Sequence, residues 1–125
     1  MNEPTWLLDA AVLIAHEMSL ANFGGAEGIR DTHLLASALA RPKNLFVYEK
    51  PGLHDLAAAY TFGIVKNHPF VDGNKRTGFL AGAAFLELNG VTLAASEPEA
   101  TRIILGVASG SVSEGQLADW YRVNR

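Results

Sequence analysis

Apolar residues along this chain recur mostly at spacings of three and four, the mark of helices that each bury one face. From about Thr5 to Ala21 a stripe of Trp6, Ala10, Leu13, Ile14, Leu20 and Ala21 predicts a first helix, closed by Gly24-Gly25. Asp31 is placed to cap a second, running through Leu34, Leu35, Ala38 and Leu39 and ending before Pro42. Arg41 to Pro51 is the least helical stretch, with Leu45-Phe46-Val47-Tyr48 between two polar, proline-bearing segments, and reads as a short flap loop or hairpin. A third helix, about Leu53 to Asn67, puts Leu56, Tyr60 and Ile64 on one face, with His54 and Asp55 as capping residues. A fourth runs from Gly73 to Asn89, with Gly90 as its stop and with Gly78 and Gly82 among Ala81, Ala83 and Ala84. Small residues in that pattern admit a closely crossing neighbour, and this helix is expected to be the central one. After an extended piece, Val91 to Ala94, two boxes at Ser96-Glu97-Pro98-Glu99 and Ser113-Glu114-Gly115-Gln116 start a fifth helix with Ile103, Ile104 and Val107 and a sixth with Leu117, Trp120 and Tyr121. The expected fold is all-α, a helical bundle of about six helices.

Length and composition narrow this only a little. A chain of 125 residues with 49% apolar content fits one domain, residues 1–125, with a real core. A formal net charge of −3 argues against a broad nucleic-acid surface. With no cysteine there is no disulfide, thiolate metal site or cysteine nucleophile, and a cytoplasmic setting is expected. No basic region precedes an apolar run at the N-terminus, and no stretch approaches the ~20 apolar residues of a membrane span.

The densest polar chemistry is His68-Pro69-Phe70-Val71-Asp72-Gly73-Asn74-Lys75-Arg76-Thr77, at a junction between two helices. Pro69 disfavours the α region for the residue before it, so the third helix should end near His68. Asp72 reads as the N-cap of the fourth. A helix beginning at Gly73-Asn74-Lys75-Arg76 presents unpaired N–H groups to an anion such as phosphate, and Lys75 and Arg76 add two charges. Asp72 is a hard oxygen ligand of the kind Mg²⁺ uses beside nucleotide phosphates, and His68 is placed to accept a proton from a hydroxyl. Phe70 is the structural anchor of the turn. The plainer readings are that Asp72 only caps, that His68 only bonds backbone and that the basic pair is only solvated. Basic residues in a first turn oppose the helix dipole, however, and a bound anion removes that conflict. Elsewhere, His16 and Glu17 are adjacent on the first helix and point apart, which makes them no metal pair. They are expected in surface or structural roles, and His33 in solvent.

At the His68 to Arg76 stretch the chain resembles the Fic/Doc family. The signature of that family is His, any residue, Phe, any residue, then Asp, Glu or Asn, then Gly or Ala, Asn, Gly or Lys, and Arg; every fixed position is filled here. Lys75 and Thr77, and Phe79 where Fic-type members have a second Arg, resemble the Doc branch of toxins, while Gly73 is as in Fic-type enzymes. Further likeness includes Gly28-Ile29-Arg30-Asp31 and Arg41-Pro42. The resemblance implies the Fic fold, with the flap at Arg41 to Pro51 aligning a target peptide by strand addition. It also implies ATP and Mg²⁺ as cofactors, His68 as base, Asp72 on the metal, and Gly73, Asn74, Lys75 and Arg76 on phosphates. Doc-branch activity would move the γ-phosphate of ATP to a threonine of elongation factor Tu, arresting translation, and a Phd-like antitoxin would be the partner. Replacing a Gly by Lys75 and losing the second Arg gives a physical reason for the nucleotide to bind reversed relative to Fic enzymes. The alternatives are AMP transfer to a protein hydroxyl and a Fic-fold binding module without turnover.

Overall fold

The computed structural model describes residues 2–125. Six helices follow in order: α1 (Asp9–Phe23), α2 (Thr32–Tyr48), α3 (Leu53–Asn67), α4 (Asn74–Leu88), α5 (Glu97–Ser109) and α6 (Glu114–Val123). Among the described residues there is no strand, and the one isolated bridge pairs Ile29 with Phe70. The all-α fold of six helices read from the sequence is the fold observed, and one core draws on all six, from Val12 of α1 to Leu117 of α6.

Its centre is α3, not α4 as expected. Leu56, Ala57, Ala58, Ala59, Tyr60, Thr61, Gly63, Ile64 and Val65 are all buried there, because α2, α4, α5 and α6 each lie against it. The small residues of α4 serve this crossing: a Cβ on Gly78 would stand 2.8 Å from Val65 Cγ2 and 3.1 Å from the Thr61 carbonyl. Thr61 Oγ1 donates to the Gly78 carbonyl at 2.7 Å, so its oxygen is left to accept from the Tyr121 hydroxyl, also at 2.7 Å. Complete burial pushes the Tyr121 hydroxyl pKa well up, which keeps it a donor. The C-terminal helix is thereby tied to the α3–α4 contact.

Two boundaries differ from the sequence reading. Thr5 to Leu8 are extended and α1 begins only at Asp9. The apolar residues of that segment belong to the core without being helical: Leu7 N donates to the Tyr60 hydroxyl at 3.3 Å, Trp6 packs edge-on to Phe46, and Thr5 exchanges two bonds of 2.9 Å with the Asn89 side chain. The second correction concerns Arg41 to Pro51, which is no flap or hairpin. Helix α2 passes through Pro42 and ends at Tyr48. An internal proline costs a helix ~3 kcal/mol, and here packing of the far half offsets it. Phe46 meets Trp6, Arg41 pairs with Glu114 of α6, and the Arg41 guanidinium lies over Phe62 at 5.4 Å.

Of the capping residues read from local chemistry, Asp31, Ser96, Ser113 and Asp55 are in place, while His54 makes no capping bond among the described residues. Asp31 accepts from Leu34 N at 2.9 Å, Ser96 from Glu99 N at 3.3 Å, and Ser113 and Gln116 exchange bonds of 3.1 and 2.8 Å. Asp55 caps α3 by accepting from Gly52 N at 2.8 Å. His54 beside it is half-buried with Nε2 unpartnered, and burial, with Arg122 and Arg125 nearby, lowers its pKa below the ordinary 6.5 against a smaller opposing pull from Asp55. An unfolded chain therefore binds a proton at this residue at higher pH than the folded one does. Stability from His54 is whole above its unfolded pKa and is lost as the pH falls through 6.5 toward the lower folded value. Urea unfolding midpoints of the wild type should drop more steeply between pH 7 and 5 than those of His54→Gln, and parallel slopes would refute this account.

Candidate functional site

The polar junction between α3 and α4 is built by closing the turn from inside. Helix α3 ends at His68, whose N–H bonds the Ile64 carbonyl at 3.1 Å and whose backbone is left-handed at φ 54 and ψ 53. Phe70 is fully buried, as an anchor should be, and stacks on the buried His16 ring with centroids 3.8 Å apart. The side chain of Asn74 clamps the same residue, accepting from Phe70 N at 2.9 Å and donating to its carbonyl at 3.0 Å. The Asn74 side chain thus holds the turn closed, and its backbone N–H stands at the start of the next helix.

Asp72 is not the N-cap of α4. Gly73 holds that position with a left-handed backbone at φ 80, and no side chain caps the helix. The first intrahelical bond runs from Thr77 N to the Gly73 carbonyl at 2.9 Å, which leaves the N–H groups of Asn74, Lys75 and Arg76 without intrahelical partners at the positive end of the dipole. Asp72 instead points toward the loop after α1. Its Oδ1 accepts from Gly73 N at 2.8 Å and its Oδ2 from Ala26 N at 3.3 Å. These two donors, with smaller help from Arg76 and Lys75, hold its carboxyl below the usual carboxylate range. Gly25 is needed for this approach, since a Cβ there would stand 2.8 Å from Asp72 Oδ2.

Helix α1 supplies the back wall. His16 Nε2 lies 2.8 Å from the Asp72 carbonyl, an acceptor only, so this nitrogen carries the hydrogen. Arg76 reaches across to α1: Nε donates to Ser19 Oγ at 2.8 Å, Nη2 to the Gly24 carbonyl at 3.0 Å, and the guanidinium lies 5.0 Å over Phe23. Its remaining N–H groups are free for an anion. Lys75 is exposed and makes no ion pair among the described residues.

His68, Asp72 and Lys75 therefore share one exposed turn, with Gly73 and Arg76 half-buried beneath them. The structure also recruits Val12, His16 and Ser19, which face inward at i, i+4 and i+7. Two polar residues continuing the apolar stripe begun by Val12 were the available signal; what they bond to was not in the sequence. Nor was the strap Gly28–Asp31, whose backbone is bonded to the turn at three points, Arg30 N and Asp31 N to the Pro69 carbonyl at 2.7 and 3.1 Å and Val71 N to the Gly28 carbonyl at 3.0 Å. A cleft of about 570 Å³ between α1 and Gly25–Ile29 is lined in part by Phe70 but not by His68, Lys75 or Arg76. Asn74, whose N–H opens α4, does not line it either.

The donor set fits Mg²⁺ in one way only. Among the described residues no three His, Asp or Glu side chains gather to hold a metal. The lone Asp72 carboxylate, ionised and exposed, with one acceptor direction left on each oxygen, suits an ion whose other ligands are nucleotide phosphates and water.

Comparison with known proteins gives two kinds of match. The family described as Fic/DOC matches over residues 6–86. A protein named Toxin Doc from Mycolicibacterium smegmatis is 48% identical over 75 residues, 58% of this chain and 58% of that protein. Protein kinase doc of Escherichia phage P1 is 30% identical over 112 residues, 89% of this chain and 88% of the phage protein.

Proposed function

From the premise that this chain belongs to the Fic/DOC family, we propose that it is a Doc-like toxin that transfers the γ-phosphate of ATP to a hydroxyl of a protein, a threonine of elongation factor Tu being the expected target. The observation that carries the reading is the start of α4. Its first turn offers three N–H groups without intrahelical partners and carries Lys75 and Arg76, donors of the kind phosphate oxygens take, and His68 and the ionised Asp72 stand just before it. In the reaction the target oxygen forms a bond to the γ-phosphorus, the bond to the β-bridging oxygen breaks, ADP leaves, and His68 takes the hydroxyl proton. The N–H groups of Asn74, Lys75 and Arg76 hold the transferring oxygens, beside Gly73, whose left-handed backbone starts the helix. Mg²⁺, when bound, offsets phosphate charge, and Asp72 is the residue that would hold it. Exposure of His68, Asp72 and Lys75 suits a protein substrate better than a small one buried in a cavity.

We propose that the target-aligning role expected of Arg41 to Pro51 belongs to Gly25–Arg30, which runs beside the turn and bridges Phe70 through Ile29. Names of the relatives support a toxin with an antitoxin partner, and a Phd-like protein whose C-terminal segment folds onto this chain is the proposed one. The cytoplasm, where translation factors are, is the proposed location; among the described residues no helix is long and apolar enough to cross a membrane.

Gly73 gives a specific reason to keep AMP transfer as a second reading, because Gly at that position is the Fic-type choice. In that case the target oxygen attacks the α-phosphorus and pyrophosphate leaves. Elongation factor Tu incubated with the purified chain and with ATP labelled at the α- or the γ-phosphate separates the readings. Label from the γ position alone is expected. Label from the α position would replace the kinase reading by AMP transfer, and none from either, on this factor or on any lysate protein, would overturn both.

A further inference from the structure

Resting on the reading of His68 as base, we propose that Arg30 is its positioning residue: the guanidinium locks the peptide groups on both sides of His68 and so fixes the direction in which the imidazole projects. Arg30 Nε donates to the His68 carbonyl at 2.7 Å and Nη2 to the Asn67 carbonyl at 3.0 Å. Both acceptors lie at the C-terminal end of α3, where carbonyls run out of helical donors and partial negative charge favours a cation.

The need for a lock is visible in the backbone. Among the described residues His68 is the one non-glycine at positive φ, in a region that L-residues adopt unwillingly. Pro69 follows it, with no N–H to bond back into the helix. The imidazole makes no hydrogen bond to any described protein atom, so its direction is set by the Cα–Cβ bond, and that bond by the conformation of the residue. A fork that spans the carbonyls of residues 67 and 68 holds the peptide groups that define this conformation. A lysine, with one nitrogen, holds them less well.

The effect of the side chain is separable from that of the strap. Three backbone bonds, from Arg30 N and Asp31 N to Pro69 and from Val71 N to Gly28, remain when the guanidinium is removed. So do the Asn74 clamp on Phe70 and the His16 stack beneath it. What is lost is specific to residues 67 and 68. A merely structural helix cap would lower the unfolding midpoint and leave the turnover of folded enzyme alone.

The test uses the full chain, Arg30→Ala, Arg30→Lys and His68→Ala, all assayed well below their unfolding midpoints. In Arg30→Ala, kcat for γ-phosphate transfer should fall by about 10- to 100-fold, the scale of a misplaced reacting group, with KM for ATP changed less than about twofold. Arg30→Lys should recover part of the loss. The chain has four histidines, and the His68 ring signal in a proton–carbon NMR spectrum is identified by its absence in His68→Ala. It should move toward the free-histidine position in Arg30→Ala while the His16 signal stays. A kcat within about threefold of wild type, or an unmoved His68 signal, overturns the proposal. If the wild type itself transfers nothing, the reading of the base fails, and the ring signal alone decides whether Arg30 positions the side chain.

Discussion

His68→Ala is expected to abolish most of the proposed phosphoryl transfer, by about 10²- to 10⁴-fold in kcat, the range that general-base groups supply. The site isolates this effect unusually well. His68 is exposed and its ring bonds no described protein atom, so removing the ring leaves no buried group unpaired. The turn is held by other residues: Phe70 and Asn74 from within, His16 from behind, and Arg30 through the backbone carbonyl that alanine retains. The N–H groups proposed to hold phosphate belong to α4 and are likewise kept. KM for ATP should therefore stay within about threefold of wild type while kcat collapses, the pattern of a group that acts only in the transition state. Unfolding should move by no more than the ~1–2 kcal/mol that separates residues in the left-handed region. Steady-state transfer to elongation factor Tu, beside urea unfolding of both proteins, checks each part. Retention of more than about a tenth of the wild-type kcat would remove His68 from the role of base.

What could be read in advance divides along a physical line. Caps at Asp31, Ser96 and Ser113 were legible because a short polar side chain satisfies backbone donors two or three residues away, and nothing distant competes. The end of α3 at His68 was legible because proline restricts its neighbour by sterics alone. The misreadings all came from residues whose partners are far along the chain. Pro42 breaks an isolated helix, yet α2 persists because Phe46 and Arg41 find Trp6 and Glu114. Thr5 to Leu8 carry apolar residues at helical spacing, yet are drawn out straight by Asn89 and Tyr60. Asp72 has the side chain of an N-cap, and the Ala26 N–H took one of its oxygens. His16 was left between surface and structure, and only the fold shows it under Phe70. The residue types of the site were thus written locally, and their division of labour was not.

Gly82→Ala is expected to be the most destabilising single-methyl change in the chain. By propensity alone it should help, since Gly costs a helix interior ~1 kcal/mol relative to Ala. The added carbon, however, falls far inside van der Waals contact with Thr61 Oγ1, 2.6 Å from the Tyr121 hydroxyl and 3.0 Å from the Ala57 carbonyl. None of these is the loose end of a flexible chain. Thr61 and Tyr121 are fully buried and bonded to each other, and Ala57 is backbone in the central helix. Either α4 moves off α3, or the hydroxyl pair separates and leaves buried polar groups unpaired. Overpacking costs ~1–3 kcal/mol and each orphaned hydroxyl ~1–3 kcal/mol, so a net loss of about 3 kcal/mol remains after the propensity gain. Because the N–H groups proposed to hold phosphate stand at the start of α4, a shift of the helix is also expected to weaken ATP binding, raising KM in whatever protein stays folded. Urea midpoints measure the first effect. A cycle with Thr61→Ala assigns the cause: with the nearest clash removed, Ala at position 82 should cost at least ~1 kcal/mol less than in the wild-type background. Strict additivity would mean that the loss arises elsewhere, and that the close crossing of α3 and α4 is not what fixes the site.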